Sequence, residues 1–235
     1  MFLDTLKLRS AVLQVQFAAA FELWDHAGSV AQGMTRIWSD LAVTTGEPMR
    51  VILQGRGVAV RTELTSGVVA LTKLTTIDGK VSQQLKDAVE CWRDCLQISE
   101  FTRVSMVVEY GKEFPTLREA NEALFKLGLV RWPTEKVFDQ PTDGAKNGVD
   151  VSFRFEDENA FAVVRARAEG LIYEMTPPPH SDKEPTKEEL HRLLVSFDRG
   201  NLKAIPAKQL KVDEWIKGYV HVMRRDISKV LEGRL

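Results

Sequence analysis

The sequence predicts an α+β protein: a curved, predominantly antiparallel sheet with helices on one face. Three observations carry this. Val149, Val151, Phe153 and Phe155 alternate with Asp150, Ser152, Arg154 and Glu156, as a half-buried strand requires. Other stretches place apolar residues three and four apart, the signature of one helix face. The same order of elements then recurs: residues 5–98 and 100–232 each read as strand, helix, three strands, helix, a candidate duplication of one unit. The unit needs helices over its sheet, since neither a lone hairpin nor a lone amphipathic helix buries enough surface. The halves are expected at 1–98 and 99–235, packed as one continuous body.

Taken in order, residues 6–17 form the first expected strand, with Leu13, Val15 and Phe17 alternating with Gln14 and Gln16. Phe21, Trp24, Ala27, Ala31, Met34, Trp38 and Leu41 mark one face of a helix over 22–40, and the two tryptophans there predict helix-on-sheet packing. Gly46 and Pro48 punctuate the chain before a three-strand meander within 49–74, with turns at Gly55-Arg56-Gly57 and Ser66-Gly67. Asp78-Gly79 leads into a helix over 81–98.

The second half opens with a strand over 101–110, in which Val104, Met106, Val108 and Tyr110 point opposite to Arg103, Ser105 and Glu109. Thr116 and Glu119 form a capping box for a helix buried through Leu117, Ala120, Leu124 and Leu127 and closed at Gly128. A polar connection over 133–148 precedes the strand at 149–156, and Asp157 to Asn159 turn it into a strand over 160–169 that 171–175 either prolong or leave. The proline-rich 175–185 is irregular, a strand covers 191–198, and Val212, Ile216, Tyr219, Met223, Ile227 and Val230 mark a terminal helix with Lys217, Arg224, Arg225 and Lys229 toward solvent.

Composition bounds the function. An apolar fraction of 44% against 28% charged residues excludes a generally disordered chain. The 32 basic residues against 33 acidic ones give no global attraction to nucleic acid or an anionic membrane. No segment approaches the roughly 20 apolar residues that span a bilayer, and the first nine residues lack a secretory pattern, so a cytoplasmic setting is expected. Cys91 and Cys95 share a helix face, and Cys95 joins the series Val81, Leu85, Ala88, Trp92; the pair reads as buried and reduced, with a redox switch or half a metal site as the sharper alternative.

Three segments together carry a resemblance: Leu6-Lys-Leu-Arg-Ser-Ala-Val-Leu-Gln-Val-Gln-Phe17, Phe101-Thr-Arg-Val-Ser-Met-Val-Val-Glu-Tyr110, and Leu193-Leu-Val-Ser-Phe-Asp198 with the helix that follows. In this the chain resembles an uncharacterised, sporadically distributed bacterial protein family of roughly this length. The resemblance implies no activity. The middle segment departs from that family's arginine-glycine-leucine-arginine-tyrosine pattern.

No chemical motif emerges. Gly55 and Gly57 lack the rest of a P-loop, and no dinucleotide fingerprint joins a strand to a helix. No catalytic residue is assigned, and no cofactor or metal is expected. Asp150, Glu156, Asp157 and Glu158 offer hard oxygen ligands, but no spacing requires a shared site. Arg154, Arg165 and Arg167 are candidate contacts for phosphate or a partner, should their strands pair side by side. Tyr173 and His180 form a candidate loop site, and Asp25-His26 sets an acid beside an imidazole. The leading expectation is a non-enzymatic binding or regulatory protein whose partner is another protein or a second copy of the chain. The alternatives are a nucleic-acid-binding protein using the arginine-bearing face, and a small-molecule enzyme with a pocket between the halves.

Overall fold

The computed structural model describes residues 2–129, 148–175 and 186–231. After a short 3-10 turn, the elements are β1 (Lys7–Phe17), α1 (Leu23–Ile37), β2 (Ala42–Glu47), β3 (Arg50–Gln54), β4 (Val58–Glu63), β5 (Ser66–Thr72), α2 (Gly79–Cys95), β6 (Glu100–Phe114), α3 (Leu117–Phe125), β7 (Val149–Glu156), β8 (Ala160–Met175), β9 (Thr186–Asn201), β10 (Ile205–Pro206) and α4 (Val212–Leu231). The ten strands make one open sheet in the order β2-β3-β4-β5-β1-β6-β9-β8-β7, with β10 alongside β6, and every neighbouring pair is antiparallel.

The α+β class, the antiparallel sheet and the helices over one face are as the sequence predicts. Each half begins with a strand that pairs with the last strand of its own meander, β1 with β5 and β6 with β9, and β1 and β6 pair with each other. The correspondence lies in order and pairing. The first half has one more strand than expected, because β2 forms an edge from Ala42-Val-Thr-Thr-Gly-Glu47, in which almost every side chain is exposed and no buried alternation marks a strand.

β1 shows why one face is covered. Leu8, Ala11, Leu13, Val15 and Phe17 are buried beneath helices, while Ser10, Val12, Gln14 and Gln16 stay half-buried on the other side. Arg9 is the extra residue of a bulge against β6, and its guanidinium meets Glu113 at 2.5 Å. Trp92 of α2 anchors the first half. Its ring lies on Gly67, where a Cβ would approach within 2.6 Å, and its indole N–H donates to the buried Thr62 hydroxyl at 2.8 Å. In the second half the Tyr219 hydroxyl of α4 donates to the Phe197 carbonyl at 2.5 Å, and Thr116 caps α3 by accepting from the Glu119 N–H at 3.2 Å.

Two expectations need correction. The buried stripe of α1 is Leu23, Val30 and Met34 with Ala27 and Ala31 beside it, whereas Trp24 is 54% exposed and Phe21 58%. Spacings of three and four fit adjacent stripes about 100° apart, and Leu23 rather than Trp24 leads the one that faces the sheet. Trp38 is buried as expected. β9 is also longer than the predicted 191–198, because Thr186–Leu190 pair with Leu171–Met175 although both runs are largely exposed. Sequence alternation marks burial, and an arm bonded only along its backbone leaves no such mark.

Cys91 and Cys95 are free thiols, partly buried on α2. Cys91 packs at the crossing with α1, against Gly33 and the Val30 carbonyl. Burial first, and the neighbouring Cys95 second, push its pKa up to about 12, which disfavours the reactive thiolate. Among the described residues no helix is long and apolar enough to cross a membrane.

The Trp92 seat generates a stability prediction. Gly67→Ala forces the ring off the sheet and lowers unfolding free energy by about 1–3 kcal/mol. Thr62→Val leaves the indole N–H buried without a partner, a loss of about 1–3 kcal/mol. Urea titration of both variants measures these losses, and an unchanged midpoint for either removes the anchor role.

Candidate binding face

Antiparallel register sorts the side chains of β6 to β9 onto two faces. On the uncovered face lie Arg103, Ser105, Val107 and Glu109 from β6, Arg192, Leu194, Ser196 and Asp198 from β9, Phe161, Val163, Arg165, Arg167 and Glu169 from β8, and Asp150, Ser152, Arg154 and Glu156 from β7. The three arginines singled out in the sequence therefore share one surface. Each is matched by a carboxylate. Arg154 meets Glu156 at 2.6 Å, Arg165 grips Asp150 through both Nε and Nη2, and Arg167 lies 3.3 Å from Glu109 and 3.1 Å from Glu169. Glu169 also takes Arg192 at 2.5 Å. The result is a ladder of alternating charge across four strands rather than a positive surface.

The hydrogen bonds from Arg165 hold the Asp150 carboxyl below its ordinary range. Both side chains are more than two-fifths exposed, so solvent screens the pair and its stabilisation is small.

Toward the centre, Phe161 is only 2% exposed although it lies on the uncovered face. Its ring covers Gly200, where a Cβ would come within 2.6 Å. The guanidinium of Arg103 sits 4.5 Å above the ring and that of Arg154 at 5.3 Å. Beside them Asp198 has a buried Oδ1 with no hydrogen-bond partner, and burial raises its pKa against the opposing pull of Arg103 and Arg154. Nothing in the sequence marks this group, because Asp198 occupies an ordinary outward position in its strand.

Tyr173 stands on the β8–β9 arm, 46% exposed, near Ile172 at 69%. His180 lies outside the described residues, as do 176–185 and all but Gly148 of the connection expected over 133–148. Asp25 is exposed and His26 half-buried in the first turn of α1. The four carboxylates considered as metal ligands have separate duties: Asp150 and Glu156 pair with arginines, Asp157 accepts from the Asn159 and Ala160 N–H groups of the hairpin turn, and Glu158 is exposed. Among the described residues, no group of three or more histidines, cysteines or acids is placed to hold a metal ion. Comparison with protein-family models and with curated proteins finds no match to this chain.

Asp198 yields a pH prediction with a definite sign. Its folded pKa is raised, so both states are protonated below the unfolded value and no penalty exists there; the penalty appears as pH rises through the folded pKa. Asp198→Asn is thus expected to raise the urea midpoint at pH 7 and to lose that advantage in acid. A midpoint difference that does not depend on pH contradicts the assignment.

Proposed function

We propose that this protein is a non-enzymatic binding or regulatory protein of the cytoplasm, acting through contact between its uncovered sheet face and another protein. The observation that carries the reading is a sheet covered by helices on one side only. The other side offers a broad floor of half-buried residues, Ser10, Val12, Gln14, Val107 and Ser196, around the buried Ser105, bordered by the charge ladder.

The charge pattern favours a protein over a nucleic acid. Phosphate backbones select unbalanced positive surfaces, whereas a face with arginines and carboxylates in alternation complements another mixed surface and rewards one register over others. Arg154, Arg165 and Arg167 act in this reading as partner contacts held in position by their carboxylates.

Affinity capture from native lysate with four versions of the chain tests this. Gln14→Arg and Val107→Arg place bulk and charge in the middle of the floor, while Gln83→Arg makes a like change on the exposed side of α2. Proteins retained by the wild type and Gln83→Arg are expected to be lost from the two floor variants, whose circular dichroism matches the wild type. Equal recovery by all four versions, or no specific recovery by the wild type, rejects the proposal.

A further inference from the structure

On the helix-covered side, a cleft of about 860 Å³ opens where the two halves meet. The first half contributes the start of β1, Leu6 to Leu8, and the connection from Leu74 to Thr76 that leads into α2; the second contributes Tyr110 of β6 and Arg224 of α4. Its volume falls within the range of small-molecule sites. Leu6 and Leu8 are each only 8% exposed and, with half-buried Leu74, make an apolar wall.

The polar groups are chiefly donors. Arg224 lines the cleft without an ion-pair partner among the described residues, whereas Lys7, opposite Gly111, borders it from a strand position whose side chain faces the other side of the sheet. The half-buried Tyr110 hydroxyl likewise has no hydrogen-bond partner among them; burial raises its pKa, so it stays a donor at neutral pH, and Arg224 is close enough to oppose that rise. Thr75 and Thr76 add hydroxyls, and Asp4 is the one carboxylate of the lining. Arg224 also borders a smaller cleft of about 340 Å³ shared with Lys217, His221 and the first residues of α2. There the helix N-terminus adds positive potential, while the Asp78 carboxylate is engaged in accepting the Val81 N–H at 2.9 Å.

We infer that the cleft between the halves binds a small phosphomonoester with an apolar body, its phosphate held by Arg224 and the Tyr110 hydroxyl and its body against Leu6, Leu8 and Leu74. A phosphate has three terminal oxygens for these donors, and a guanidinium fork suits two of them. A phosphomonoester carries more negative charge than a carboxylate and one more terminal oxygen, so it gains more from a guanidinium and neighbouring hydroxyl donors. The apolar wall gives an organic phosphate an advantage over the inorganic ion.

Phenyl phosphate, inorganic phosphate and benzoate, titrated separately into the full chain and followed by calorimetry, test both parts of the inference. Phenyl phosphate is expected to saturate with a Kd below about 1 mM, with the other two at least about tenfold weaker. Arg224→Glu is expected to weaken phenyl phosphate binding at least about tenfold and Tyr110→Phe a few-fold. Arg224 is exposed, so its variant keeps the wild-type thermal midpoint; Arg224→Gln, which removes the charge without reversing it, is expected to lose binding in the same direction.

Absence of saturation by phenyl phosphate, or unchanged binding in both Arg224 variants, overturns the site. Benzoate binding as tightly overturns the phosphate assignment, and inorganic phosphate binding as tightly overturns the role of the apolar wall. Val107→Arg, on the opposite side of the sheet, leaves phenyl phosphate binding intact, so this inference and the sheet-face reading fail separately.

Discussion

The antiparallel pairing of β1 with β6 is the constraint on which the rest of the molecule depends. It runs from Lys7 opposite Gly111 to Phe17 opposite Phe101 and makes the two meanders one sheet. Because side chains alternate strictly, this register puts Leu13, Val15, Val104, Met106 and Val108 on the same side, and the helices must gather there. A slip of β1 by one residue would bring Gln14 and Gln16 under the helices and expel Leu13 and Val15. The covered side, the uncovered side and the seam between the halves all follow from this one pairing.

On the uncovered side the sheet solves two problems of exposure. Gly200 leaves a gap in β9 that the Phe161 ring fills from β8, and arginines from β6 and β7 shield that ring in turn. The charged side chains farther out are matched within β7 and across strands, so the face carries charges of both signs in alternation. Such pairs contribute little to stability. Their effect is on orientation, since each arginine is held in one direction by its carboxylate. Asp198 is the exception, a half-buried carboxylate with an oxygen left without a hydrogen bond.

The covered side has a different character at the seam. Where α2 and α4 diverge from the start of β1, the packing leaves a cleft bordered by Lys7, Tyr110 and Arg224. These residues belong to three elements brought together only by the β1–β6 pairing and the docking of α4. The sheet floor is broad and balanced in charge, whereas the cleft is small and its polar lining is chiefly donors.

Much of the fold was legible in the sequence because burial imprints a period on it. The alternation of Leu13, Val15 and Phe17, the spacing of Val81, Leu85, Ala88 and Trp92, and the Thr116–Glu119 cap each describe local structure that neighbouring residues dictate. Alternation also assigned Arg154, Arg165 and Arg167 to one face once their strands paired. The sequence by itself thus determined most of the elements, their order and the sides that the alternating strands present. Only the tertiary structure decided that each arginine meets a carboxylate, that Trp24 is left exposed while Leu23 is buried, that Asp198 keeps an unbonded oxygen, and that Lys7 and Arg224 border one cleft. The physical reason is range. A period records whether a residue is buried, while the identity of its neighbour across the sheet depends on register and docking, which are set by the whole core at once.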